Sequence, residues 1–283
     1  MLVAGLVAAA AVAHATWNIA VKRAGTTFRF IFAGCLLGAV VFAPFGIWSL
    51  VTSGTDLRQW MLWASVSGAL QVVYFLTLQH AYRVGDVSVV YPLARGSGPL
   101  LSVVLAIILL GERPTGVELL GAVVVVGGVM VIGFAGNRDH RKSARPGVLW
   151  GLLVGVLIGI YTIWDAAAVT TQDLPPVGLY WGSILFQVLI LAVPALRDAR
   201  STMRAVRQNP FAISLFGILS PLSYILVLTA LQFAPVAVIA PAREVSVLLV
   251  GLAGWLLFKE PHPVQRMIGA GILLTGVALL AIG

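Results

Sequence analysis

Charge is scarce in this chain, with ten Asp and Glu and eighteen Lys and Arg among 283 residues, 10% in all. A soluble domain carries about 25% charged residues, so a water-facing globular surface is excluded. Cysteine is scarcer still. Cys35 stands alone and excludes an internal disulfide. His14, His80, His140 and His262 are too scattered to suggest a metal site. The chain has no GxxxxGK loop, HExxH, CxxC or GxSxG, so the residues of nucleotide-driven or common hydrolytic chemistry are missing. No cofactor, no metal and no enzymatic activity are expected.

What is abundant is apolar. Hydrophobic residues make up 60% and the mean hydropathy is +1.01. A helix crossing the hydrocarbon core of a bilayer needs about 20 mostly apolar residues, and such runs follow one another at 1–21, 28–50, 60–82, 87–110, 115–136, 147–168, 175–197, 210–233, 236–258 and 264–283. Stretches such as VVLAIILL and GAVVVVGGVMVI lack the alternation of a barrel strand. The predicted fold is therefore an all-α polytopic membrane protein with ten transmembrane helices. Pro114, Pro146, Pro175, Pro176, Pro210, Pro235, Pro261 and Pro263 stand near predicted helix starts, where a missing N–H costs little. Only 137–146, a basic stretch, reads as a linker.

The chain is doubled. LLGERPTGVELLGAVVVVGGVMVI (109–132) aligns without a gap on LFKEPHPVQRMIGAGILLTGVALL (257–280), pairing Glu112 with Glu260, Gly121 with Gly269 and Gly128 with Gly276. The repeats are placed at 1–136 and 147–283. Five helices per copy is an odd number, so the second copy enters the membrane from the opposite side and the repeats are inverted. Charge agrees: connections after odd-numbered helices hold Lys22, Arg23, Arg29, Arg83, Arg138, Arg141, Lys142, Arg145, Arg197, Arg200, Arg204, Arg207, Lys259 and Arg266, while the other side has only Arg58 and Arg113. The positive-inside rule puts the odd connections in the cytoplasm and both termini outside. The net charge of +8 is thus an orientation signal that calls for membrane lipid and not for nucleic acid. LVAGLVAAAAVAHA resembles a signal peptide, but no positive residue precedes it and Lys22 and Arg23 follow it; it reads as the first span.

Polar residues inside spans are expensive, and each is a candidate for function. His14, Trp17 and Asn18 share one face of the first helix, and Tyr161, Trp164 and Asp165 repeat that spacing in the sixth. A central cavity bounded by both halves would be lined this way, although residues near helix ends also serve as interfacial anchors. Arg95 and Arg243 each lie about nine residues, or roughly 13 Å, into a span, within YPLARGSGP (91–99) and IAPAREVS (239–246). Pro92, Pro99 and Pro241, with Gly96 and Gly98, predict discontinuous helices there. Arginine stays protonated and needs a counter-charge, water or an anionic ligand. Glu244 and Asp165 are the candidate counter-ions. Neighbours on a helix point about 100° apart, so Glu244 is expected to face Arg95 from another helix and not to pair with Arg243.

A second polar layer places Gln71, Tyr74 and Gln79 of the third helix against Ser220, Ser223 and Tyr224 of the eighth. Glu112 and Glu260 read as electrostatics at membrane edges, beside Arg113 and Lys259. Gly151, Gly155 and Gly159 form one stripe, and Gly121, Gly128, Gly269 and Gly276 recur at seven. Both favour close helix packing within one subunit, with a homodimer seam through the fifth and tenth helices as the alternative.

HATWNIAVKR near the start and VVYPLARGSGPLLSVVLAIILLGERPTGVELLGAVVVVGGV resemble the drug/metabolite transporter superfamily, EamA-type, over nearly the whole chain. The resemblance implies a permease of the bacterial inner membrane, often an exporter of amino acids or similar compounds, with a cavity lined by helices one, three, four, six, eight and nine. It carries substrate contact onto His14, Trp17, Asn18, Tyr74, Tyr91, Arg95, Tyr161, Trp164, Tyr224 and Arg243, and proton coupling onto Asp165, Glu244 and His14. Relatives are commonly drawn with cytoplasmic termini, whereas the charges here favour the reverse. A small-molecule anion bearing a carboxylate or phosphonate is the expected substrate. The alternatives are a multidrug or cation exporter, a sensor or assembly protein, and an intramembrane enzyme.

Overall fold

The computed structural model describes residues 1–24, 27–134, 144–258 and 263–283. Among these, all regular structure is helical: α1 (Leu2–Ala24), α2 (Phe28–Ser53), α3 (Leu57–Val84), α4 (Val87–Leu109), α5 (Gly116–Gly133), α6 (Ala144–Thr170), α7 (Pro176–Arg197), α8 (Ala199–Gln208), α9 (Pro210–Leu231), α10 (Val236–Ala242), α11 (Val245–Phe258) and α12 (Pro263–Ile282). Ten segments are long and apolar enough to span a membrane. Most of the predicted linker, and Lys259, Glu260 and His262, lie outside the described residues.

The basic segment after the seventh span is not the plain connection expected but the short helix α8, whereas the ninth span is split into α10 and α11. Local chemistry accounts for many of the ends. Thr27 and Asp56 accept the N–H of Phe30 and Gln59, and Thr115 and Glu118 form a reciprocal capping box. α4 closes through Gly111, which takes the left-handed conformation (φ 69°) while the Glu112 N–H reaches back to the Ala106 carbonyl at 3.2 Å.

Packing joins the halves more than it separates them. The principal neighbours are α5 with α12, α4 with α6, α1 with α9, α2 with α7, and α3 with α6 and α7. The glycine repeat explains the first pair: an added Cβ would stand 3.0 Å from the Gly276 carbonyl oxygen at Gly121, 2.8 Å from that of Gly269 at Gly128, and 2.8 Å from that of Gly121 at Gly276. These faces are therefore filled within one chain, and backbones approach because no side chain intervenes. The other stripe does the same for α6 on α4. A Cβ at Gly151 would meet Val90 and Leu93 at 3.1 Å, and one at Gly159 would meet Leu101 at 3.1 Å.

Polar bonds between connections respect the sidedness of ten alternating spans. Arg29 pairs with Asp198 at 2.9 Å on one side. On the other, Gln59 donates to the Gln172 side chain at 3.1 Å and Glu112 reaches Val236 at 2.7 Å.

The expectation of two discontinuous helices holds for only one. α4 runs unbroken through Pro92 and Pro99. Its prolines are held between neighbours: Pro92 lies against Gly133, where an added Cβ would collide with the ring, and α6 packs its glycine stripe on the same helix. Enclosure of this kind is what lets membrane helices tolerate proline. In the ninth span, Pro241 has no N–H to give, and bonding tightens from Glu244 N to Pro241 O (3.0 Å), Ser246 N to Arg243 O (3.2 Å) and Val247 N to Glu244 O (2.8 Å). Three-residue spacing of this kind marks a 3₁₀-like turn between two helices.

Candidate functional site

That turn carries Arg243 and Glu244 into the interior. Glu244 is fully buried, and its Oε1 lies 3.4 Å from Arg95 Nη1 on α4 and 3.6 Å from Arg243 Nε. The expected contact with Arg95 is present. The expectation that Glu244 avoids its neighbour fails, because a 100° separation belongs to a regular helix and the chain is not one here. Arg95 also donates from Nη2 to Nε2 of His14 on α1, and its guanidinium stands 5.9 Å from the centre of the Tyr91 ring. Arg243 donates to Thr162 Oγ1 on α6 at 3.4 Å. Side-chain exposure is only 16% for Arg95 and 10% for Arg243. Two guanidiniums thus share one carboxylate away from water, and one positive charge is left over.

Aromatic rings wall this cluster. His14 meets Trp17 edge-on at 4.9 Å, and Trp17 meets Phe216 at 5.3 Å. Tyr74 and Tyr161 lie 5.5 Å apart, and Tyr161 and Tyr224 6.0 Å. Tyr224 leads to a second cluster, donating to Asp165 Oδ2 at 2.8 Å. Gln71 donates to the same oxygen at 3.4 Å. Gln187 of α7 donates to Gln71 at 3.3 Å, Tyr180 donates to Gln71 at 3.2 Å, and Ser67 donates to Ser183 at 3.0 Å. Asp165 is fully buried among neutral donors and is not the counter-ion expected for either arginine.

Among the described residues, four buried polar atoms around these clusters lack a hydrogen-bond partner: Trp17 Nε1, Asp165 Oδ1, Arg243 Nε and Glu244 Oε2. An orphaned buried polar group costs about 1–3 kcal/mol. Two donors and two acceptors in the interior thus lack a hydrogen bond, Arg243 Nε having only its 3.6 Å ion pair with Glu244 Oε1.

Other candidates are turned to different tasks. Asn18 Nδ2 donates to the His14 carbonyl one turn back at 2.8 Å, and Trp164 Nε1 donates to the Trp63 carbonyl at 3.0 Å with the two indoles 4.2 Å apart. In the second layer, Ser223 bonds to its own helix at Ser220 O, and Gln79 Nε2 has no partner. Sequence reasoning passed over Gln187, Tyr180, Ser67, Ser183 and Thr162. Gln187 gave a signal, as a glutamine within an apolar run.

Glu112 does more than the electrostatics expected at a membrane edge, for it caps α10: its Oε1 accepts the N–H of Val236 at 2.7 Å and its Oε2 that of Ala237 at 2.9 Å. The N-cap position itself is Pro235, which makes no side-chain cap bond, so the first half supplies what the second lacks. A carboxylate at a helix start also meets the favourable end of the backbone dipole. Its repeat partner Glu260 lies outside the described residues.

Comparison with known proteins follows the same lines. The model of the EamA-like transporter family matches residues 1–134 and again 145–282. A curated relative, the probable 4-amino-4-deoxy-L-arabinose-phosphoundecaprenol flippase subunit ArnE of Hamiltonella defensa subsp. Acyrthosiphon pisum (strain 5AT), is 29% identical over 104 residues, spanning 35% of this chain and 94% of that protein. A protein of known crystal structure superposes with a TM-score of 0.70 at 16% identity, over 99% of this chain and 96% of that one. At such identity the likeness is one of fold.

Proposed function

Because the chain belongs to the EamA-like transporter family, we propose that it is a secondary active transporter of the bacterial inner membrane for a small carboxylate- or phosphonate-bearing metabolite such as an amino acid. The observation that carries this reading is the pair of buried guanidiniums, Arg95 and Arg243, sharing the single carboxylate of Glu244. A substrate anion supplies the missing negative charge, and bidentate geometry suits guanidinium to carboxylate and phosphonate alike. The unpartnered Trp17 Nε1 donates to the same ligand, and Glu244 Oε2 accepts from it. Tyr74, Tyr161, Tyr224 and Trp17 offer ring faces for the rest of the molecule.

Asp165 takes the proton-coupling role, since among the described residues no cation pairs with it and it is linked to the substrate wall through Tyr224. His14 and Glu244 belong to the arginine cluster and act with the substrate. The arginine-rich side faces the cytoplasm, leaving both termini outside. Sites at the meeting of two halves are accessible to each side in turn by rocking one half against the other.

The ArnE relative supports a second reading within the same site chemistry. Its name describes a flippase subunit for a phosphoundecaprenol-linked sugar, and a lipid-linked phosphate would satisfy the arginine pair equally well.

Proteoliposomes loaded with radiolabelled amino acids, organic anions, phosphonates or organic cations test the assignment. Wild-type protein is expected to move anionic or zwitterionic compounds, and Arg95→Ala and Arg243→Ala to lose at least about tenfold in rate. Wild-type rates for anions in both variants, or flux of cations alone, overturn it. Asp165→Asn is expected to abolish acceleration by a proton gradient while leaving counterflow exchange.

A further inference from the structure

α8 takes no part in the central site, yet its outer face carries three arginines, Arg200, Arg204 and Arg207. Its sequence, ARSTMRAVRQ, has no apolar stretch for the hydrocarbon layer, so it lies at the membrane surface between the ends of α7 and α9. The inner side is anchored. Thr202 is buried and donates to the Ala195 carbonyl at 2.8 Å, Asp198 accepts the Ser201 N–H at 3.2 Å, and Asp198 is held by Arg29 at 2.9 Å. With that side fixed, the positions three and four residues apart on the opposite side form one face.

That face is a groove of about 410 Å³ lined by Arg200, Met203, Arg204, Arg207 and Gln208. Among the described residues, none of its three guanidiniums has a carboxylate within 4.0 Å. Like charges one turn apart disfavour a helix, and α8 maintains two such steps in ten residues. An anion in the groove relieves that repulsion.

We propose that the α8 groove binds the headgroup phosphate of an anionic phospholipid. The neighbouring surface selects a lipid over a free anion. Leu189, Val193 and Leu196 stand out from α7 at 64%, 57% and 64% exposure and form an i, i+4, i+7 stripe leading to Arg197 and α8. Acyl chains lie against such a stripe, and their phosphate then reaches the level of the arginines. Met203, 53% exposed within the groove, extends the apolar contact to the glycerol region. Guanidinium forks match phosphate oxygens two at a time.

The test uses the full-length protein in neutral detergent, offered phosphatidylglycerol or phosphatidylcholine at equal concentration and read by native mass spectrometry. Wild type is expected to retain phosphatidylglycerol preferentially, and Arg200→Gln/Arg204→Gln/Arg207→Gln to lose it by about fivefold for each arginine removed. A variant-independent arm measures phenylglyoxal modification of the three arginines in the wild type. Phosphatidylglycerol vesicles are expected to protect them, phosphatidylcholine vesicles and inorganic phosphate at matched concentration to leave them reactive. Equal retention of both lipids, retention unchanged in the triple variant, or equal protection by inorganic phosphate would overturn the assignment.

Discussion

α4 and the α10–α11 pair are the fourth and ninth spans and carry Pro-Leu-Ala-Arg (92–95) and Pro-Ala-Arg (241–243), yet one is continuous and the other is broken. The number of prolines does not decide this, for α4 has two inside and runs on, while α10 has one and stops within a residue of it. Two things differ: the proline stands three residues before Arg95 but two before Arg243, and the residue after the arginine is Gly96 in the first half and Glu244 in the second. An unbroken helix would turn Glu244 away from Arg243. The tight turn at 241–247 lets one oxygen approach both arginines. The break is thus the backbone cost of bringing a shared counter-ion to two fixed charges, and only one half bears it.

Removing that counter-ion is the strongest way to disturb the comparison. Glu244→Gln leaves Arg95 and Arg243 facing each other with no carboxylate between them. Loss of one partner from a buried ionic group costs about 3–5 kcal/mol. A large fall in melting temperature in detergent is expected, with partial recovery in a transported carboxylate or phosphonate and none in a neutral analogue. Stability equal to wild type without ligand would mean that the two charges are solvated and the cluster is not what holds the turn.

Next in size is the cap. α10 is seven residues long and owes the satisfaction of its first two N–H groups to Glu112, whereas α5 is capped by its own Thr115 and Glu118. Glu112→Ala is expected to cost about 2 kcal/mol, between an ordinary helix cap and a charge-assisted bond. Hydrogen exchange should accelerate at 236–242 and remain slow in α4. Equal acceleration in both helices would show that Glu112 supports the whole interface and not the broken span alone.

The sequence carries the scaffold well because its signals are collective. Ten apolar runs, a gapless alignment around Glu112 and Glu260, and glycines at a spacing of seven each sum over many residues, and the spans and the α5–α12 contact follow from them. The site was legible as a list but not as a geometry. His14, Arg95, Arg243 and Glu244 do converge, while Asn18 and Trp164, which share their helix faces, bond elsewhere. Spacing fixes a face of a helix; it does not say whether a side chain turns to its own backbone. Asp165 was misassigned as a counter-ion for the same reason, since Tyr224 and Gln71 approach it from helices whose rotation no periodicity reveals. α8 is hard to see in the sequence because apolar positions such as Ala199, Met203 and Val206 are few beside the long apolar runs on either side.

That helix is also the second contrast between the halves, since α2 passes to α3 through three residues, 54–56, while α7 reaches α9 only through α8. The insertion is fastened by Asp198, whose carboxyl is held below its ordinary range by hydrogen bonds from the Ser201 side chain and backbone, and further by the charges of Arg29 and Arg204. A depressed value in the folded state means that the contribution is fully present above the unfolded carboxylate value, about 3.9, and is lost as pH falls through the folded one. Asp198→Asn is therefore expected to melt slightly earlier than wild type at neutral pH, by the smallest margin of the three substitutions because the group is exposed and screened. The gap should stay constant down to the ordinary carboxylate range and close below it, as the wild type becomes protonated. Melting temperatures of both proteins across that interval decide the matter: a gap that persists into acid would assign the fastening of α8 to the Ser201 and Thr202 bonds, and leave the Arg29 pair without a share in it.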